Sequence, residues 1–431
     1  MAAMHRKFIA GRMPVVPDEA SDKQLQFALR QSNRAIQELR TAPTRRSISD
    51  SMDMMTACIL FYCLACFQGH QKVALDQLRH GLRILHEVDG KLGKGENLDH
   101  HPISLATLRA MFVTMDVQAR GIMSDECLAT WVPHPIRRFL KPPPSFKTFA
   151  QARYYFESAF IDLLAFRQEE DVNPPTSPDQ AHRVREQHRA HQRQMQQMSD
   201  HLDEFLGQLS HITSHEDRES ILGIRLFREQ LRVYMKIFKG SDEAKYVREV
   251  DWHIDEHDMA VILGLASELL NAPADLSIPA GAAPEYYYPY PGPELERLSQ
   301  MEIPAYSRPV FSSCSGLLSA LWLVASRANS SVLRRRAIAL MLDYPRREGV
   351  WDSVVAGRVA WESLVLEETA LDGELGVCQG RREARSEYIP DANKVRCIEI
   401  RYVAARVMEV EFQSVKQYET GQSGAKKLIA W

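Results

Sequence analysis

Four groups of residues have the types and spacing to do chemistry. Cys63-Leu64-Ala65-Cys66 has the spacing with which two thiolates take zinc or exchange a disulfide. A structural zinc needs four converging ligands, and no second Cys or His pair at finger spacing follows. Both thiols fall in an apolar stretch, where free Cys acts as a small core residue, so packing is expected of them. His211, His215 and Asp217 form a His-x3-His pattern that could set two imidazoles on one helix face. The stretch from His182 to His215 is rich in His and Arg throughout, so this reads as a solvated face. Gly90-Lys91-Leu92-Gly93-Lys94-Gly95 suggests a phosphate loop, but Gly95 stands where Ser or Thr would hold the metal. A flexible connector fits it better. Arg334-Arg335-Arg336 and Arg346-Arg347 could make a patch for a phosphate backbone. They lack aromatic interleaving and a loop context, so a protein-facing or internally salt-bridged face is expected. No Gly-x-Ser-x-Gly elbow and no His-Glu-x-x-His occurs. The sequence therefore assigns no catalytic, cofactor-binding, metal-binding or DNA-binding residue, and it calls for no cofactor.

The totals narrow the classes. With 431 residues the chain can build several cores or one large helical one. Apolar content of 45% and charged content of 25% suit a globular protein, and a net charge of −3 does not make the whole chain a polyanion binder. Seven scattered cysteines, an odd number, argue against a disulfide framework and for a reducing compartment. No apolar run reads as long enough to span a bilayer, and the N-terminus lacks a signal-peptide layout.

The elements that must position these residues are mostly helices. Met1 to Ile9 reads as the tail of one, and Gly11 to Glu19 as a loop. Ser21 caps a helix to about Thr41 with a face of Leu25, Phe27, Ala28, Ala35, Ile36 and Leu39. The clearest unit runs from Ser51 to Val88: one helix to Phe67, a break at Gly69, then a stripe of Leu75, Leu78, Leu82 and Leu85. So short a connection forces an antiparallel hairpin. Further helices are expected over 103–121, 146–168, 179–209, 217–238 and 257–270. Ala272 to Pro309 holds Glu285 to Pro293 and reads as a Pro/Tyr-rich loop. Ser331 to Tyr344 is a helix with Val332, Leu333, Ile338, Leu340, Met341 and Leu342 on its apolar side. Pro345 stops it, Gly349 turns, and Trp351 opens a helix to Glu368, with Trp351 buried against the helix before. From Val395 the period changes, and two strands with Ala404-Ala405 at the turn are expected. The resulting fold class is mainly α, a helical-hairpin array or bundle with a small C-terminal β element. Its parts are a helical region at 1–271 with the hairpin at 51–88, a linker at 272–310, helices again at 311–371 and a β-containing tail at 372–431.

Several of these stretches resemble one family. Arg335-Arg336-Ala337-Ile338-Ala339-Leu340-Met341 followed by Pro345-Arg346-Arg347-Glu348-Gly349-Val350-Trp351-Asp352-Ser353 is similar to a late segment of the helical regulatory domain of fungal zinc-cluster, Zn(II)2Cys6, transcription factors. Phe67-Gln68-Gly69 with His80-Gly81-Leu82-Arg83-Ile84-Leu85 also resembles it, as do Phe27 to Gln31 with Ala35-Ile36. Where the family reads Pro-Pro-Leu-Phe, this chain has Ser319-Ala320-Leu321-Trp322. Ala2-Ala3-Met4-His5-Arg6 resembles a motif inside that domain, so the chain is expected to start after the domain has begun. The resemblance implies a fungal-specific transcription factor domain that regulates transcription from the nucleus, as an effector and interaction domain. It implies a protein partner or self-association, leaves room for a small-molecule effector, and makes the chain a non-enzyme that touches no membrane. The six-cysteine dizinc module that binds DNA in that family has no counterpart in these 431 residues, so specific DNA binding by this chain is not expected. The alternative is a helical small-molecule-binding protein or enzyme of a metabolic pathway derived from the same domain.

Overall fold

The computed structural model describes residues 23–40, 47–91, 102–123, 125–133, 135, 141–208, 214–237, 255–278, 310–312, 316–375, 389, 394–404 and 407–430. In chain order its helices are α1 Lys23–Arg40, α2 Ile48–Gln68, α3 Gln71–Lys91, α4 Leu105–Arg120, α5 Asp125–Ala129, α6 Phe149–Val172, α7 Pro178–Gly207, α8 His215–Ile237 and α9 Glu256–Leu269. After the short strand β1 (Val310–Ser312) come α10 Leu317–Arg327 and α11 Ser331–Asp343. Strands β2 Arg346–Glu348 and β3 Trp351–Asp352 then lead into α12 Ser353–Leu375. The chain closes with β4 Val395–Ala404, β5 Val407–Ser414, α13 Val415–Thr420 and β6 Ala425–Ala430. The protein is mainly α with a small C-terminal β element, as its periodicity implies.

The hairpin begins at a capping box. The Ser47 hydroxyl accepts from the Asp50 amide, and the Asp50 carboxylate accepts from the Ser47 amide. Such a cap stabilises a helix by about 1 kcal/mol. Gly69, at φ 72°, ends α2 in the left-handed conformation that an L side chain rarely adopts. The chain then reverses into α3, whose Leu78, Leu82 and Leu85 are buried. Gly81 lets α4 close in, because a Cβ there would meet the Phe112 ring at 2.4 Å.

Among the described residues, apolar side chains gather in four cores. Helices α2, α3 and α4 enclose the first, around Met55, Tyr62, Leu82 and Phe112. Helices α4, α6, α7 and α8 enclose the second, around Phe156, Phe160, Met198 and Phe227. The third lies among α8 to α12 and holds Ile262, Leu321, Ile338, Leu340 and Leu364. In the fourth, Met408, Val410 and Phe412 of β5 pack on Val355 and Val359 of α12.

Several expectations are corrected. Helix α2 is long and apolar enough to cross a membrane by length and composition, where no such run was expected; 61% of its apolar window is buried inside the protein. Phe27, placed on the apolar face of the first helix, is 56% exposed. Val332, assigned to the apolar side of α11, is exposed, while Arg334 of that helix is fully buried. Trp351 does not open a helix. It lies in β3, half-buried, and α12 starts at Ser353. The tail has three strands in the order β4-β5-β6, all antiparallel, and not two. The missed strand is an edge carrying Lys426 and Lys427, the charges that edge strands tolerate and that hide alternation. A second sheet went unread, with β1 parallel to β2 and β2 antiparallel to β3. Its strands are too short for any period to show. The expected features at 1–19, Leu92 to Gly95, His211 and 279–309 lie outside the described residues.

Candidate functional site

The residues from Pro345 to Ser353 join the cores, and each charged side chain has a local physical reason. Arg347 donates to the carbonyls of Phe67 at 2.6 Å and Cys66 at 3.3 Å, at the C-terminal end of α2. Glu348 of the same strand accepts from the amides of Gly316 at 2.7 Å and Leu318 at 3.2 Å, at the N-terminal end of α10. A cation thus meets the negative end of one helix and a carboxylate the positive end of another. Burial lifts the Glu348 carboxyl above its ordinary range, against the downward pull of Arg346 and the two amides. Asp352 accepts from Arg347 at 2.6 Å and caps α12 through the Val354 amide at 2.9 Å. Between them, Gly349 turns at φ 61°. A Cβ there would meet Gln118 Oε1 at 2.1 Å and the Tyr62 hydroxyl at 2.8 Å. The Val350 amide donates to that hydroxyl at 3.1 Å, and the Trp351 indole N–H donates to the Gln118 carbonyl at 3.0 Å.

The triple arginine works the same way. Arg334 pairs with Glu367 of α12, both almost wholly buried, and donates to the Ala325 carbonyl at 2.7 Å. Glu367 also accepts from the Val395 amide of β4 at 2.8 Å, so one ion pair ties α10, α11, α12 and the C-terminal sheet. Arg335 reaches Glu368 at 2.5 Å and lies over the Trp361 ring. Arg336 donates to the carbonyls of Leu276 at 3.0 Å and Pro273 at 3.2 Å. Of the two expectations, a protein-facing or an internally salt-bridged face, Arg334 and Arg335 follow the second, while the half-buried Arg336 holds backbone carbonyls. A phosphate backbone cannot reach a fully buried Arg334.

Cys63 and Cys66 sit in the first core beside Cys58, where they were expected to pack. Burial pushes the Cys58 thiol up to about 11; burial, then neighbouring Cys63, raises that of Cys66. Thiols held in that state are weak nucleophiles. Among the described residues, no three His, Cys, Asp or Glu side chains gather closely enough to hold a metal. His215 opens α8, while its pattern partner His211 lies outside the described residues.

Sequence reasoning missed a cavity. It has a volume of about 440 Å³ and lies where α4, α6, α8 and α10 meet β3, β4 and α13. The Trp322 and Trp351 rings meet edge to face in its wall, with centroids 5.6 Å apart. Arg396 of β4 lines it with its guanidinium 4.0 Å from the centre of the Tyr418 ring. A second space of about 280 Å³ adjoins it and shares Trp322, Trp351, Ser326 and Arg396. No local pattern could have assembled residues from so many elements. The arginine pairs did leave one signal: Glu367 and Glu368 directly follow the apolar run Leu364-Val365-Leu366, and charges buried there need partners.

No family model matches the chain, and no solved structure does. Its sequence is similar to the aspercryptin biosynthesis cluster-specific transcription regulator of Emericella nidulans, at 25% identity over 403 residues. The alignment covers 82% of this chain and 64% of that regulator, so the chain spans less than two thirds of its relative's length. The likeness is to a fungal transcription regulator.

Proposed function

We propose that this chain is the regulatory part of a fungal transcription regulator of the zinc-cluster kind. It acts as an effector and interaction domain through a DNA-binding module that these 431 residues do not carry. The observation that carries the reading is a similarity to a transcription regulator that runs along 82% of the chain. The way the basic residues are spent supports it. The arginines that could have faced DNA hold helices together, so contact with a specific site falls to another module. The domain works in the nucleus with a protein partner or a second copy of itself.

The test fuses the chain to a heterologous DNA-binding module and follows a reporter gene in a fungal host. A change in reporter output relative to the module alone is expected. The purified chain should bind duplex DNA only non-specifically, with Kd of about 10⁻⁴–10⁻⁶ M at physiological salt. An unchanged reporter together with a measured catalytic activity would overturn the reading.

A further inference from the structure

We infer that the cavity between the two tryptophans and the C-terminal sheet is a binding site for an aromatic organic anion of metabolite size. The inference deepens the regulatory reading and rests on it only for what binding would accomplish.

Size and lining come first. Some 440 Å³ falls within the range of about 300–1,000 Å³ that takes small ligands. The Trp351 indole N–H is already used on the Gln118 carbonyl, which fixes that ring in the wall and leaves its carbon surface for contact. Trp322 stands against it edge to face, so the wall offers aromatic surface in two orientations. An aromatic guest gains most from such a lining.

Charge decides the sign of the guest. Among the described residues, the lining holds three guanidiniums, those of Arg167, Arg327 and Arg396, against the one carboxylate of Glu348. That carboxylate is engaged by the amides at the start of α10. Arg167 has Glu170 at 3.5 Å, and Arg327 is engaged as well, so neither counts as a free cation. Arg396 has no carboxylate partner among the described residues; it rests on the Tyr418 ring, which orders it without neutralising it. A guanidinium held by an aromatic face keeps its donors for a carboxylate, phenolate or sulfonate. Elsewhere in the lining, Gln168 donates to the Val117 carbonyl at 3.0 Å.

Position gives binding its consequence. The walls come from the helical body, whereas Arg396 and Tyr418 belong to the C-terminal sheet and its helix. A guest touching both favours the arrangement in which they are docked, and a ligand shifts an equilibrium by its differential affinity.

The experiment uses the full chain with two dyes that share an aromatic skeleton. One is the anion 8-anilinonaphthalene-1-sulfonate, the other uncharged N-phenyl-1-naphthylamine. Excitation through the tryptophans reports bound dye, and the two cavity variants below place it beside Trp322 and Trp351. The anionic dye is expected to saturate at one per chain and to bind at least tenfold more tightly than the neutral one. R396Q should weaken the anionic dye at least tenfold and leave the neutral one within twofold. S326F, which fills the space between the two parts of the cavity, should abolish both. Should S326F fail to fold by circular dichroism, Q168E takes its place, setting a carboxylate in the lining that should repel only the anion. Absence of saturable binding overturns the inference, and so does anionic-dye affinity unchanged in folded R396Q. These readings are made on purified protein, so they stand or fall independently of the reporter assay.

Discussion

The α2–α3 hairpin and the α11–α12 pair are both antiparallel helix packings, yet they are held by different forces. In the hairpin, Met55, Ile59, Leu78, Leu82 and Leu85 make a buried apolar seam, and a glycine sets how closely α4 approaches. Its partners are near in sequence, so closing the turn costs little chain entropy. Between α11 and α12, Arg334 and Arg335 face Glu367 and Glu368 inside the protein, and each pair spans 33 residues. An apolar seam tolerates any shape that fills it, whereas a buried ion pair demands one geometry and penalises its loss. The hairpin is therefore read as a scaffold and the ionic pair as the device that sets the register of α10, α11, α12 and the sheet.

The largest test of this contrast is Glu367→Ala. It leaves Arg334 buried and uncompensated, and a loss of about 3–5 kcal/mol is expected in urea or guanidinium unfolding. Replacing both partners together, Arg334→Met with Glu367→Leu, should recover part of that loss: apolar residues can substitute for the two charges, but the Val395 amide and the Ala325 carbonyl lose their side-chain partners. A single variant that unfolds at the parent midpoint would show that the pair sets nothing. Next comes Gly81→Ala on the hairpin side. Its methyl would overlap the Phe112 ring, so a loss of about 1–3 kcal/mol is expected from overpacking. The parent stability returning with Phe112→Leu in the same chain would sharpen the claim that close approach alone is at stake. The smallest effect is reserved for an ion pair of the ordinary kind. Arg218 meets Glu268 at 2.7 Å with both side chains largely exposed, and Arg218→Ala should shift stability by no more than about 1 kcal/mol. A loss as large as that of Glu367→Ala would erase the distinction between the two kinds of arginine.

How much was legible follows from the range over which each force acts. The hairpin was readable because leucines at three and four residues, a cap and a glycine are all local signals. The Arg-Arg-Glu-Gly-x-Trp-Asp stretch was recognisable as a motif, but the strands within it were not, since two or three residues carry no period. Val332 and Phe27 were misplaced for a related reason: an apolar residue at helical spacing reads as core whether or not another element covers it. The third strand of the tail hid behind its lysines, and Trp351 moved from the predicted helix to a strand that reaches the Gln118 carbonyl.

By itself, then, the sequence determined the helical class, the hairpin with its glycine turn, the packing of Cys63 and Cys66, and the resemblance that points to regulation. All of these rest on residues within a few turns of one another. Tertiary structure alone decided that the arginine string turns inward, and that Arg347 and Glu348 sit at opposite ends of two different helices. It also decided that Trp322, Trp351 and Arg396 line one cavity. A side chain's charge is written in the chain, but whether that charge is buried, and against what, depends on partners tens to hundreds of residues away. Only the packed fold brings those together.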